Sequence, residues 1–481
     1  MSEGQNLTTR QKALRINLDH KNYGTFAEIG AGQEVAEWFF KAGASSGTIA
    51  KTMSAYDMTI SDAIYGPEAS KRYVCEPRCI KMLSKEFTLL KQRLSDKRPD
   101  TNFFAFANTV EVINFKKTNR GQGWLGVRFQ LTPGGKHNEL IVHVWLKDSD
   151  KILQSQVIGI VGVNMIYACY YHSADPEKML QSLMDNLSSD RIEIDMFRLT
   201  GPDFKEVDNR IFSLKLVKFG FTNATIFGPD GNVMQPADVL YKKNILALRG
   251  RFRPVTHVNT DMVRCGRDMF INEPDVEPDK ILILSELTLA NLRGQAGEID
   301  ERDFLDRVDI LCSLGQHVMI SNYHEYYRLI DYLSRFTRGK KIGVVLGVFN
   351  LMDVFQEKFY TNLNGGILEA FGKLFGQNVK MYVYPAVMPG TTDMMTCQNF
   401  QTPKHLEDLY KYLLSNMRLA DIKTYNKNTL HIFSDNVLSL ISQGTKGWEK
   451  LVPREVEKAI KEKCLFGYPC TPQELKKAKK E

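Results

Sequence analysis

Lys341-Ile342-Gly343-Val344-Val345-Leu346-Gly347 is apolar after its first residue, rich in valine and isoleucine, and closed by glycine. No polar residue alternates with the apolar ones, so the run reads as a strand buried on both faces. Runs of the same kind recur on its amino-terminal side at 317–321, 280–287, 245–248 and 224–227, and on the other side at 379–384. Helix-period segments separate them. Strands alternating with helices imply right-handed crossovers and a mostly parallel sheet with helices on both faces. A Rossmann-like α/β domain is therefore expected over 205–420, and in such sheets ligands sit beyond the carboxyl ends of the strands.

The flanking regions read differently. Residues 1–100 give strand, glycine turn and helix, then an amphipathic helix at 80–94 that stops before Pro99. Residues 102–115, 124–131 and 139–146 are β-branched and aromatic, with Pro133-Gly134-Gly135-Lys136 as a turn, so 101–204 is expected to hold an antiparallel sheet with helices. A helical pattern at 152–187 is broken at Asp175-Pro176, where Asp caps a new helix. After a helix at 404–419, residues 421–481 hold a further helix (452–463) and a basic tail. The N-terminal half is thus a mixed α+β region ahead of the Rossmann-like domain.

The chain has 481 residues, 43% hydrophobic and 25% charged, with a net charge of +7. Much of the positive excess lies in Lys476, Lys477, Lys479 and Lys480, a solvated tail rather than a nucleic-acid grip. No apolar run approaches the ~20 uncharged residues of a membrane helix, and the first residues lack the order of a signal peptide. Eight scattered cysteines form no zinc pattern and read as free thiols of a reducing compartment. A cytoplasmic protein without nucleic-acid or membrane partners is expected.

Glu28-Ile29-Gly30-Ala31-Gly32-Gln33 falls between a strand and a helix. Gly30 and Gly32 there would let a phosphate or adenosyl group approach a helix N-terminus. The third glycine of a dinucleotide fingerprint is replaced by Val35 and Ala36. A plain strand-to-helix turn and an S-adenosylmethionine site are the alternative readings of the same residues.

Further on, Ala224-Thr225-Ile226-Phe227-Gly228-Pro229-Asp230-Gly231, the run through Gly315 to Ser321, and Lys340-Lys341 with Asp353 come in an order that resembles a degenerate haloacid-dehalogenase-like domain. That resemblance implies an acid/base position for Asp230, a phosphate-contacting position for Ser321 and a charge-balancing one for Lys340 or Lys341. It also puts Gly228 in the place of the nucleophilic carboxylate and Val348 in that of a magnesium ligand. A phosphoaspartyl mechanism needs both carboxylates, so a functional phosphatase is not expected.

Strand-end positions also carry Arg251, Arg253 and His257, and the cluster Asn322-Tyr323-His324-Glu325-Tyr326-Tyr327-Arg328. Arginines there can hold phosphate or carboxylate by paired hydrogen bonds. Gly365-Gly366 would suit an anion at the helix it opens, or a plain turn.

Across the whole chain, residues 7–17, 23–36, 53–58, 323–329 and 365–372 resemble a widespread family of bacterial proteins whose members are labelled nicotinate-nucleotide adenylyltransferase or TonB-dependent receptor. A receptor of that kind needs many alternating membrane strands, which are not seen. An adenylyltransferase needs a paired-histidine motif after an early strand, and the Gly30 turn has no histidine.

The reading that emerges is an enzyme or binding protein that handles a nucleotide or phosphometabolite. Ser321, Asn322, Arg328 and Arg253 are its expected ligand contacts, beside Gly30 and Gly32, and Asp230, His257 and His324 are its catalytic candidates. No protein-bound metal site is expected, and Mg²⁺ would come with a nucleotide. Nucleotidyl transfer and a non-catalytic, self-associating scaffold are the alternatives, the latter using the apolar run at 153–171 as a homo-oligomer interface.

Overall fold

Strands β1 (Asn22–Gly30), β2 (Ile49–Ala55), β3 (Asn102–Glu111), β4 (Gln122–Phe129), β5 (Asn138–Leu146) and β6 (Ile192–Thr200) build one mixed sheet in the order β2-β1-β3-β4-β5-β6. They belong to the first of two units, Met1–Thr222 and Asn223–Glu481, in a computed structural model that describes residues 7–294, 297–376, 378–388 and 391–471. The basic tail lies outside the described residues. β1 pairs in parallel with both β2 and β3, and the remaining pairs are antiparallel. The boundary expected near residue 100 therefore falls inside a sheet, because β1 hydrogen-bonds to β3 across it.

β3 is buried along nearly its whole length because both faces of the sheet are covered. Helix Glu76–Leu94 packs on one face, where the Cys79 thiol donates to the Ala107 carbonyl at 3.6 Å. Helices Thr9–Asn17, Val35–Ala42 and Lys151–Tyr171 share a core with Phe104, Phe106, Leu125 and Val142 on the other. Contrary to the sequence reading, Lys151–Tyr171 is long and apolar enough to cross a membrane by length and composition, with 72% of its apolar window buried inside the protein. Most of that surface is used in the core of its own unit, while Ile152 and Leu153 at its start stay exposed. The buried Lys12 ammonium crosses from the first helix to donate to Asn164 on the long one at 2.8 Å and to Asp185 at 2.6 Å.

In the second unit, β7 (Ala224–Phe227), β8 (Val233–Met234), β9 (Asn244–Arg249), β10 (Ile281–Thr288), β11 (His317–Ser321), β12 (Ile342–Gly347) and β13 (Val379–Tyr384) precede a small ribbon. The ribbon is β14 (Ala386–Val387) with β15 (Met394–Met395), and β16 (Leu419–Asp421) ends the set. The main sheet runs β16-β13-β12-β9-β10-β11-β7-β8. Its strands from β11 through β16 are all parallel, while β7 and β8 are antiparallel at the edge. Counted in chain order, the parallel strands stand as 3-2-1-4-5-6, the doubly wound order, with the reversal between β9 and β12. Ile245 and Ala247 of β9 face the core shared with helices Tyr326–Thr337 and Gly366–Gly376. On the opposite face, helix His257–Ile271 sets Gly266 against Val345 of β12, and Phe270 meets Tyr382 of β13 edge to face. The expected α/β class with helices on both faces is what the chain adopts. One expectation on the cysteines fails: Cys464 and Cys470 are joined by a disulfide, because the turn between them brings their Cα atoms to 5.9 Å.

Candidate functional site

Where the strand order reverses, helices leave neighbouring strands toward opposite faces and a crevice opens at the strand ends. Here that crevice is a cavity of about 500 Å³, lined from the end of β9 by Arg249 through Arg253, from the end of β10 by Thr288, and from the segment after β12 by Asn350 and Asp353. His324, Glu325 and Tyr326 close it from the β11 side, and Phe433 to Asp435 from the C-terminal segment.

The three arginines are held very differently. Arg249 lies next to Glu286 in the β9–β10 register, and its Nε and Nη2 donate to that wholly buried carboxylate at 2.8 and 3.0 Å. The Ser321 hydroxyl donates to the same carboxylate at 2.6 Å, and Arg249 Nη1 donates to the His324 carbonyl at 2.7 Å. The guanidinium also stacks 4.3 Å from the Tyr326 ring, whose hydroxyl is pushed up to about 12 by burial. Arg249 is thus fixed and charge-compensated.

Arg253 donates to Asp303 at 2.5 Å, and the same carboxylate also pairs with buried Arg307. Burial lowers the pKa of Arg307, whose Nη1 donates to the carbonyls of Arg251 at 3.1 Å and Asn291 at 2.8 Å. Two guanidinium groups share one carboxylate, so this triad carries an excess positive charge and its backbone bonds hold the loop after β9 in place. Arg251 meets Asp435 at 3.2 Å with side chains 55% and 69% exposed. Exposed pairs of this kind hold by at most ~1 kcal/mol, so an incoming anion can take Arg251 from Asp435.

Tyr326, Phe359, Tyr360 and Phe433 give the cavity aromatic walls. Asp353 and His324, both exposed, have no side-chain hydrogen bond or ion pair among the described residues. A region with guanidinium groups on one side, aromatic walls and, on another side, a carboxylate without an ion pair among the described residues is suited to a polar ligand.

Of the residues singled out from the sequence, Arg251, Arg253, His324, Glu325, Tyr326 and Asp353 line this cavity. Ser321 is buried outside the lining, where its hydroxyl donates to Glu286 and accepts the Tyr323 N–H at 3.3 Å. Asn322 and Arg328 are exposed outside the lining, and Arg328 is engaged by Glu325 at 3.2 Å and the Tyr327 hydroxyl at 3.1 Å. His257 opens its helix with its backbone N–H donated to the Leu451 carbonyl and is not in the cavity lining. Asp230 is a correction. β7 runs antiparallel to β11 with Phe227 opposite Val318, so the turn after β7 sits at the amino end of the parallel strands, opposite the cavity. Its carboxylate there accepts the Asn232 N–H at 3.0 Å and closes a hairpin turn.

The Gly30 turn is a second correction. Gly30 has φ +76°, and a Cβ there would collide with the Val110 carbonyl. A Cβ on Gly32 would come 2.7 Å from the Asn108 amide oxygen, and the Asn108 amide donates to the Gly32 carbonyl at 2.7 Å. The buried Glu28 carboxylate accepts the Val35 and Ala36 N–H groups at 3.0 and 3.4 Å. The chain's own carboxylate occupies the helix N-terminus that a phosphate would need, and the glycines serve close packing against β3.

Arg249, Glu286 and Asp435 escaped the sequence reading, although two of them left a signal. A carboxylate inside the apolar run Ile281-Leu282-Ile283-Leu284-Ser285-Glu286-Leu287, and an arginine closing Ile245-Leu246-Ala247-Leu248-Arg249, are charges that burial permits only in pairs. Among the described residues no group of three or more His, Cys, Asp or Glu could hold a metal ion.

No family model matches the chain, and neither does any curated protein. Among solved structures it is similar to a competence-damaged protein (CinA) superfamily protein from Enterobacter cloacae, at 9% identity over 35% of this chain and 96% of that one, with a TM-score of 0.26. The competence/damage inducible protein CihA from Agrobacterium tumefaciens matches at 15% identity over 33% and 94%, with a TM-score of 0.25. A CinA superfamily protein from Klebsiella pneumoniae matches at 12% identity over 34% and 99%, with a TM-score of 0.26. At such TM-scores the likeness says nothing of this chain's activity.

Proposed function

We propose that the second unit binds a small phosphorylated metabolite of the nucleotide or sugar-phosphate class in the crevice between β9 and β12. The observation that carries this reading is a cavity of about 500 Å³ at the reversal of strand order, with Arg251 and Arg253 presented on the segment after β9. That volume suits a nucleotide-sized ligand. The site differs from a dinucleotide fold's phosphate loop. Buried Phe252 fills the place where glycines would let a pyrophosphate approach backbone N–H groups, so guanidinium side chains take the anion instead.

Nucleotidyl transfer of the paired-histidine kind gains no support, since His324 lines the cavity and His257 does not. The crevice is read as a binding site, with the exposed His324 imidazole in its lining. The test is a thermal-shift panel with ATP, nicotinate mononucleotide, NAD, ribose 5-phosphate and inorganic phosphate. A ligand at ~100 times its Kd stabilises by ~2.7 kcal/mol, a shift of a few degrees. Arg251→Ala and Arg253→Ala should each weaken the responding ligand about tenfold or more, in line with a lost charge-assisted bond. Unchanged affinity in both variants would remove this crevice as the site.

A further inference from the structure

We infer that Asp353 is the specificity-determining residue of this crevice and that it selects phosphorylated ligands whose other end carries sugar hydroxyls. The inference rests on the phosphorylated-ligand reading above and deepens it. Around the cavity nearly every charge already has a partner: Arg249 has Glu286, Arg253 and Arg307 share Asp303, Arg251 has Asp435, and Glu325 has Arg328. Asp353 has none among the described residues. The crevice is therefore dipolar, with excess positive charge at the Arg253–Arg307 side and one uncompensated carboxylate on the segment after β12.

A bare phosphate meets only the positive side and is repelled by Asp353. A ligand that also offers hydrogen-bond donors satisfies both. Hydroxyls fit better than an ammonium because Asp353 is accompanied in the lining by Asn350 and His324, whose side chains likewise have no hydrogen-bond partner among the described residues. An amide and an imidazole donate as well as accept, and a hydroxyl can answer both roles, whereas an ammonium only donates. The Tyr360 ring stands beside this end with its hydroxyl committed to the Val354 carbonyl at 2.6 Å, so it offers an apolar face to a sugar rather than a competing donor.

The test is calorimetric titration of the full chain and its Asp353→Asn variant with ribose 5-phosphate, phosphoethanolamine and inorganic phosphate. Asp353 is exposed, so the substitution leaves the core untouched, and a melting curve verifies folding. The expected result has opposite signs: Asp353→Asn weakens ribose 5-phosphate about tenfold through loss of charge-assisted bonds, and tightens inorganic phosphate about threefold through loss of repulsion. Equal changes for both ligands, or no change, would overturn the role of Asp353. Tighter binding of phosphoethanolamine than of ribose 5-phosphate by the unmodified chain would overturn the hydroxyl assignment. If none of the three binds the unmodified chain, the sugar-phosphate class is excluded from this crevice and the role of Asp353 falls with it, while the nucleotide class is decided by the thermal-shift panel above.

Discussion

Glu28 shows how a single side chain can imitate a ligand. Its carboxylate accepts two N–H groups at the start of helix Val35–Ala42, the place where phosphates bind in other α/β proteins. Burial raises its pKa to about 7 although those N–H groups pull the other way. The folded chain thus holds this proton more tightly than the unfolded one. The contribution is fully present below the ordinary carboxyl range and is lost as pH rises through about 7. The loss amounts to at most about 3 kcal/mol. Glu28→Gln should flatten that fall, so the stability difference between variant and parent, measured by denaturant titration from pH 4 to 8, should change across this window. A constant difference would mean that Glu28 does not titrate there. Glu286 is the corresponding residue beneath the crevice. Its removal as Glu286→Ala strands Arg249 without its counter-charge and should cost about 3–5 kcal/mol, read from the shift in denaturation midpoint. A loss below about 1 kcal/mol would show that water reaches Arg249 and that the pair is not a buried one.

At the level of elements, the turn after β1 decides between ligand and packing. Gly30→Ala forces a side chain into positive φ and against the Val110 carbonyl, at a cost of about 1–3 kcal/mol from the backbone alone. The same variant should leave ligand-induced thermal shifts unchanged, since the crevice lies in the other unit; loss of those shifts would restore the turn as a binding site. The contrast between this turn and the parallel strands shows what the sequence makes legible. β9, β10, β12 and β13 were readable because strands covered on both faces appear as continuous apolar runs. The strand-end placement of Arg251, Arg253 and His324 followed from the same runs. The direction of β7 was not readable, because Ala224-Thr225-Ile226-Phe227 has the same composition whether it pairs parallel or antiparallel, and with it Asp230 moved to the far end of the sheet. A Gly-x-Gly turn likewise looks identical whether Val110 and Asn108, some eighty residues away, fill it or a ligand does. The pairing of Asp303 with Arg253 and of Asp435 with Arg251 is likewise set between residues far apart in the sequence.

On the scale of the whole molecule, each unit has a hydrophobic core of its own. Phe26, Phe106 and Ile158 belong to one cluster, and Ile245, Leu333 and Val344 to the other. The units exceed 200 residues each, a size at which a single chain buries most of its surface on folding and needs no partner domain to be stable. The proposed crevice is lined wholly from the second unit, and the backbone bonds that hold its loop come from Arg307 in the same unit. Residues 223–481 expressed alone should therefore unfold cooperatively and keep the ribose 5-phosphate affinity of the full chain within about twofold, since no lining residue has been removed. Calorimetry of the full chain should resolve two transitions, of which only one moves when that ligand is added. If the fragment folds but loses binding, some part of the site comes from residues 1–222 and the assignment of the crevice to one unit is wrong. If both transitions move together, the two units are energetically coupled, and the turn at Gly30 becomes a place from which ligand affinity can be altered.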